Sequence, residues 1–381
     1  MTVTSITRKR AEQVASEHDV LTRRRSLALL LAPVALLLLI GLGALLSASS
    51  VEALERFGDS LYYFRRQTMW LGAGLIALVI SARVPYRLYQ RWAIPILAVS
   101  LIGLVSVLLV GIVGGGSRRW LAIGPVTIQP SEFSKFAVIV FLSAVMIRKG
   151  DRTNDYRHFF GPVIASVGIS GLLLLSQPDL GTAMMLSFAA LAVLLVSGAP
   201  LRYVGGLIAA GSLVVLISVW RFSYQFDRIM AFVDPFADAT GDGYQPVQAM
   251  YALGTGGWFG IGLGESRARW AYLPEAHTDF IFAIIGEEMG LIGALGVILL
   301  FATFTVGGIV IAIRAKDLFG RCLAVGIVAW IGGQAIINIG AVTGALPITG
   351  ISLPFVSSGG SALIVSLSAT GVLINIARSD S

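Results

Sequence analysis

Apolar residues run along this chain in long blocks, and charged residues gather in the gaps between them. Blocks near the roughly 20 residues that carry a helix across a bilayer begin at Ser26, Gln67, Trp92, Phe133, Phe159, Gly181, Val204, Phe280, Cys322 and Ala362. The pattern predicts an all-α polytopic membrane protein with ten transmembrane helices. The first block, "SLALLLAPVALLLLIGLGALLSASS", follows Arg23, Arg24 and Arg25 as a signal peptide would. Its apolar part exceeds the usual h-region of about 7 to 15 residues and further spans follow it, so a retained helix is predicted.

Most gaps are short. The exception, residues 221–278 between the seventh and eighth helices, carries six acids and four arginines. A loop of this length is usually either functional or disordered. Trp258, Trp270 and the Gly-rich apolar stretch "ALGTGGWFGIGLG" argue against disorder. That stretch is too short to span and suits a re-entrant or interfacial segment lining a cavity. Its glycines do not follow the dinucleotide-binding spacing.

Beyond the loop, residues 280–313 are apolar apart from Glu287 and Glu288. As one helix they would measure about 51 Å, well over the ~30 Å hydrocarbon thickness. On such a helix Asp279 shares a face with Ala283, Gly286 and Gly290, Glu288 points nearly opposite, and both glutamates fall near the outer boundary of the core.

Composition agrees with this reading. The 381 residues are 56% hydrophobic and 13% charged, with a mean hydropathy of +0.83, where soluble domains carry about 25% charged residues. The formal net charge of +7 follows from topology, since most of the 28 lysines and arginines lie in gaps on the side of the N-terminus. By the positive-inside rule both termini are cytoplasmic. Residues 1–25 are then a basic cytoplasmic tail, residues 26–378 a single transmembrane domain, residues 379–381 the cytoplasmic end, and the long loop is extracytoplasmic. The basic residues flank helices and form no stripe with exposed aromatics, so nucleic acid is not an expected partner. Cys322 is the single cysteine, which excludes a disulfide framework. His277 is the one histidine on the outer side, so a His/Cys zinc site is not expected.

The outer side also concentrates the candidate chemistry. "YLPEAHTDFIFAIIGEEMG" places Glu275, His277 and Asp279 within five residues. An aspartate at a helix start can be only a cap, but three ionisable groups exceed what a cap needs, and such groups at membrane segments are expensive and usually functional. Arg119 and Trp120 end one loop, and Glu132 and Lys135 follow at a spacing that pairs them on one helical face. Asp179 in "SQPDLGT" reads first as an N-cap. Gln245 and Gln248, then Ser357, Ser358 and Ser361, complete the outer set. No G-x-S-x-G elbow is formed, so serine hydrolase chemistry has no support. Gln334 and Asn338, one turn apart inside the ninth helix, suit either helix packing or a polar path for a transported lipid.

Together "RWLAIGPVTIQPSEFSK", "QPDLGT", "YQPVQ", "YLPEAHTDFIFAIIGEEMG" and "LPFVSSGGS" resemble, in order and over nearly the whole chain, the SEDS family of bacterial membrane glycosyltransferases of shape, elongation, division and sporulation. The match is nearer to its division branch than to its elongation branch. Ser358, Ala249 and Thr349 depart from common family patterns. The resemblance implies polymerisation of lipid II (undecaprenyl-diphosphate-linked disaccharide pentapeptide) into glycan strands at the outer membrane face. It implies a class B penicillin-binding protein transpeptidase as partner, with other divisome membrane proteins. The family's essential aspartate falls on Asp279, and its Glu/Lys pair on Glu132 and Lys135. Flippase and non-catalytic scaffold are the rival readings.

Joining an α-linked diphosphate donor into a β-linked strand inverts the anomeric carbon, so one displacement suffices if a base takes the acceptor's proton. Asp279 is the candidate. Lys135 with Arg119 is one means of neutralising the departing diphosphate; a divalent cation, Mg2+ or Mn2+, held by phosphate and one or two carboxylates is another. Glu275, His277, Asp179, Gln245, Gln248, Ser357 and Ser361 are expected to support or bind substrate.

Overall fold

A computed structural model describes residues 3–114, 117–124, 126–149, 155–266 and 276–379, with side chains from Arg24 onward. The chain is mostly helical: α1 (Val3–Phe57), α2 (Tyr62–Arg83), α3 (Tyr86–Arg91), α4 (Ala93–Val110), α5 (Pro130–Lys149), α6 (Tyr156–Val163), α7 (Ile169–Ser176), α8 (Leu180–Val196), α9 (Leu201–Arg221), α10 (Ser223–Val233), α11 (Tyr244–Gly256), α12 (Ile281–Arg314), α13 (Leu318–Val342) and α14 (Gly360–Ser379). A π turn, Ile164–Gly168, joins α6 to α7. Three short antiparallel strands, β1 (Ile112–Gly114), β2 (Ser117–Ile123) and β3 (Val126–Ile128), form a small sheet in that order between α4 and α5.

Every predicted apolar block falls in a helix, and eight of the ten meet the length and hydropathy of a membrane span. Among the described residues, eight segments are long and apolar enough to cross a membrane: Arg24–Phe57, Ala93–Val110, Pro130–Arg148, Tyr156–Ser176, Leu201–Arg221, Ile281–Arg314, Leu318–Val342 and Gly360–Ser379. The other two blocks fall short for physical reasons. Arg65, Arg66 and Arg83 dilute the 22 residues of α2, and α8 has only 17.

Helices α5, α13 and α14 are buried along most of their length, whereas α9 leaves Leu213, Leu216 and Trp220 exposed. An apolar exterior around a buried polar interior is the arrangement a bilayer selects. The described part of the long loop folds into α10, α11 and a turn-rich segment.

The predicted unbroken helix after that loop is corrected. α12 starts at Ile281, after Asp279, and is interrupted at Gly290, whose φ of 66° and ψ of −167° leave helical space. Such a conformation is open essentially to glycine. Interruption frees backbone groups on both sides, and buried groups of that kind need partners. The glycine-rich segment supplies them. Leu291 N donates to Gly257 O (2.9 Å) and Ile292 N to Trp258 O (3.2 Å), while Ile261 N donates to Glu287 O (3.0 Å) and Gly262 N to Glu288 O (3.2 Å). The adjoining carboxylates are held too: Ser266 Oγ donates to Glu287 Oε2 and Ser47 Oγ to Glu288 Oε1. The first part of α12, from Ile281 to Glu288, is buried on every side. The second part alone, about 24 residues or roughly 36 Å, matches a bilayer.

At the start of α13, Asp317 ties that helix to α3. Its carboxylate caps Gly320 N (2.8 Å) and accepts from Tyr86 OH (2.8 Å) and Arg87 Nε (3.1 Å). Asn375 on α14 accepts from Tyr86 N (2.8 Å) and donates to Ala82 O (3.0 Å).

Candidate active site

Asp279 sits in the turn that leads into α12, and three successive carbonyls fix that turn. His277 O accepts from Ser358 N (3.0 Å), Thr278 O from Ser357 Oγ (2.6 Å) and Asp279 O from Asn338 Nδ2 (2.8 Å). The N-cap position of α12 belongs to Phe280, without a side-chain cap. Asp279 stands one residue before that position.

Asn338 also donates to Ile351 O (2.7 Å), and Gln334 one turn earlier donates to Ser352 O (2.8 Å). Both α13 residues thus hold the segment that runs over the site. Gln334 Oε1 in turn accepts from Lys135 Nζ (2.8 Å) and Trp330 Nε1 (2.9 Å). Lys135, 1% exposed, pairs with Glu132 at 2.8 Å as the spacing of three predicts, and lies 5.2 Å from the Trp330 ring centroid. A buried charge needs such partners. Lys135 spends its donors on the framework under the Asp279 turn.

The cation facing Asp279 is Arg228 of α10, a residue the sequence reading passed over. A Cβ added at Gly350 would lie 3.5 Å from Asp279 Oδ2 and 3.7 Å from both terminal nitrogens of Arg228, so both side chains approach that glycine, and their charges act on each other. Arg228 donates to Ile348 O (3.3 Å) and to Tyr224 OH, with its guanidinium 4.5 Å from the Tyr224 ring centroid. The Tyr224/Arg228 spacing of four on an amphipathic helix was the available signal. Burial lowers the pKa of Arg228 from its usual value and Arg119 acts in the same sense, while Tyr224, Asp279 and Asp179 oppose them. Arginine remains charged through such shifts.

Arg119 of β2 pairs with Asp179 at 3.8 Å and donates to Pro178 O. Asp179 also caps α8 by accepting from Thr182 N (3.2 Å), so its predicted cap role and a place in the charge cluster coexist. Two arginines and two aspartates from four elements thus share one neighbourhood. Buried polar atoms around them lack hydrogen-bond partners among the described residues: Arg119 Nε, Asp179 Oδ2, Asn338 Oδ1 and Thr349 Oγ1. Each such atom costs about 1–3 kcal/mol if nothing polar reaches it, so their gathering marks a place suited to a polar ligand. A mostly apolar cavity of about 220 Å3 opens beside them, with Leu175, Leu180 and Phe222 on its wall together with Arg119, Tyr224 and Gln225.

The remaining candidates lie around this centre. His277 is buried, with Nδ1 3.3 Å from Glu52 Oε2 and its ring 4.8 Å from that of Tyr63. Ser357 serves the turn as described and accepts from Leu353 N (2.8 Å); Ser361 accepts from Gln129 N (3.2 Å). Trp120 lines a second cavity, with Thr278 on its wall. Gln245 and Gln248 lie half-buried at the start of α11. Glu275 lies outside the described residues. Among the described residues no three His, Cys, Asp or Glu side chains gather as a metal cage would require.

Residues 27–381 match the family described as "Cell cycle protein", which groups FtsW, RodA and SpoVE. The chain belongs to this family, the SEDS proteins. It is 42% identical over 362 residues to the stage V sporulation protein E of Bacillus subtilis, covering 94% of this chain and 98% of that protein. It is 41% identical over 340 residues to a probable peptidoglycan glycosyltransferase FtsW of Trichlorobacter lovleyi, covering 88% and 89%. Among solved structures, a chain from a study titled "Structural coordination of polymerization and crosslinking by a peptidoglycan synthase complex" superposes with a TM-score of 0.73 at 28% identity, covering 90% of this chain and 97% of that one. The rod shape determining protein RodA of Thermus thermophilus superposes with a TM-score of 0.67 at 27% identity, covering 91% and 95%.

Proposed function

We propose that this FtsW-like SEDS protein is a peptidoglycan glycosyltransferase that polymerises lipid II at the outer face of the cytoplasmic membrane, with Asp279 as general base. The observation that carries the reading is the Asp279 turn, pinned by three carbonyl hydrogen bonds, with its carboxylate and Arg228 both approaching Gly350. A base positioned in this way contributes about 10² to 10⁴ in rate.

The acceptor hydroxyl attacks the anomeric carbon, forming the new C–O bond as its proton passes to Asp279. The bond from that carbon to the diphosphate oxygen breaks with inversion, and the lipid diphosphate leaves with the electron pair. Arg119 and Arg228 supply donors for the charge that develops on the leaving group. Glu132 and Lys135 support the turn through Gln334. The flippase reading leaned on Gln334 and Asn338, and both are occupied in holding residues 351–352.

In this reading α2 and α8 also cross the membrane, making ten crossings. Both termini are cytoplasmic, the segment from α10 to the Asp279 turn is outside, and the site of action is the division septum. The partner is a class B penicillin-binding protein.

The test is polymerisation of lipid II in detergent by the purified protein, with and without that partner, comparing wild type with Asp279→Asn. Polymer from wild type and a loss of at least about 10²-fold in the variant is expected. Equal polymer from both removes Asp279 as base, and no polymer from an intact wild-type complex removes the enzymatic reading.

A further inference from the structure

A polymerase must hold two saccharides at once, and the structure offers a second cavity beside the Asp279 turn. It measures about 150 Å3 and is lined by Tyr63, Arg66, Trp70, Trp120, Thr278 and Ser358, among others. Successive residues of a strand point to opposite faces. On β2 this alternation sends Arg119 to the first cavity and Trp120 to the second.

The two cavities differ in chemistry. The first has a mostly apolar wall with Leu175, Leu180 and Phe222 and carries one cation, Arg119, which pairs with the buried Asp179; Tyr224 on the same wall holds Arg228. That suits a diphosphate. In the second, three aromatic rings stand with a few polar groups: Arg66, which also donates to Thr127 Oγ1 (2.9 Å), and the hydroxyls of Thr278 and Ser358. Aromatic walls with a small number of fixed polar groups orient a ligand that has apolar faces and polar edges. A pyranose ring is such a ligand.

We infer that the Trp120 cavity is the acceptor site, where the saccharide that supplies the attacking hydroxyl stacks, and that the Arg119 cavity takes the donor's diphosphate. This rests on the glycosyltransferase reading above. Inversion requires the acceptor to approach opposite the leaving group, so the two substrates reach the reacting carbon from different sides. The Thr278–Asp279 turn links the two: Thr278 is on the acceptor wall, and the Asp279 carboxylate approaches Gly350 as does Arg228, which donates to Tyr224 of the first cavity.

The experiment separates the two substrates. A labelled lipid diphosphate saccharide with its attacking hydroxyl blocked can act only as donor. A saccharide with that hydroxyl free and its diphosphate replaced by a non-departing link can act only as acceptor. Formation of the single new glycosidic bond is followed while each is varied, for wild type, Trp120→Ala, Trp120→Tyr and Arg228→Lys, each in complex with the partner. Product from wild type establishes the reaction itself, and its absence sinks the underlying reading and this one together.

Given product, Trp120→Ala raises the acceptor KM about tenfold, the loss expected for one aromatic contact, and leaves the donor KM within about twofold of wild type. Trp120→Tyr restores most of the acceptor KM because it keeps a ring. Arg228→Lys raises the donor KM and leaves the acceptor KM alone. A Trp120→Ala defect confined to the donor, spread equally over both substrates, or absent overturns the assignment. So does failure of Trp120→Tyr to recover the acceptor KM while the variant melts at the wild-type temperature.

Discussion

The carboxylate of Asp279 and the guanidinium of Arg228 both approach Gly350, one carried by the turn before α12 and the other by α10 of the long loop. The two charges act on each other, and the guanidinium offers paired donors to a departing diphosphate. Arg228→Ala is expected to lower kcat/KM by about 10²-fold, and Arg228→Lys to recover only part of it, because the ammonium keeps the charge without the fork. The measurement is lipid II polymerisation by the complex. A wild-type kcat/KM in Arg228→Ala would separate the arginine from the reaction.

Gly290 and Gly260 meet at the interruption of α12. A Cβ at Gly290 would lie 2.4 Å from Gly260 N, and one at Gly260 would lie 2.0 Å from Glu288 O. Both glycines have positive φ, 66° and 81°. Gly290→Ala is expected to cost about 2–3 kcal/mol from backbone strain before the contact is counted. The purified variant should melt several degrees below wild type and lose activity through its folded fraction. A melting temperature equal to wild type would mean that the interruption is not needed.

Lys135 stands under the Asp279 turn. Lys135→Met leaves the Glu132 carboxylate buried without its cation, which costs about 3–5 kcal/mol, whereas the double variant Glu132→Gln/Lys135→Met removes both charges. The double variant should therefore be more stable than Lys135→Met, with kcat still below wild type because Gln334 loses a donor. Melting temperatures and polymer yield for the four proteins of the cycle check this. Additive losses would refute the coupling.

Asp317 gives a pH prediction at the opposite end of α13. Burial raises its pKa, but hydrogen bonds from Gly320 N, Tyr86 OH and the Arg87 guanidinium outweigh it, so the carboxyl titrates below its ordinary value. A depressed folded pKa means that the stabilisation is present above about pH 4, the unfolded value, and disappears as pH falls through the folded one. Asp317→Asn keeps a good N-cap but loses the charge. Its melting temperature should lie below wild type at pH 7, and the gap should narrow as the pH falls below about 4. A gap independent of pH would assign the loss to packing.

Much of the molecule was legible in one dimension. Positions of the apolar blocks are a local property, because a helix in lipid must satisfy its backbone within itself, and each block became helical. The Glu132/Lys135 pair and the Asp179 cap were legible because their partners lie three residues away. The uninterrupted reading of residues 280–313 failed because periodicity cannot register that Gly290 leaves the helix. What permits it to do so is a set of backbone partners some 30 residues earlier, at Gly257 to Gly262.

The order of residues by itself determined a membrane-embedded helical protein, its family and the carboxylate to examine, since these depend on hydrophobicity, short spacing and motif. Only the tertiary structure decided which cation faces that carboxylate, that Lys135 is committed to Gln334, and that Arg119 and Trp120 serve different cavities. Those are contacts between segments tens to hundreds of residues apart. Each depends on how helices and strands stack, where a small displacement selects a different neighbour, and no local pattern encodes that choice.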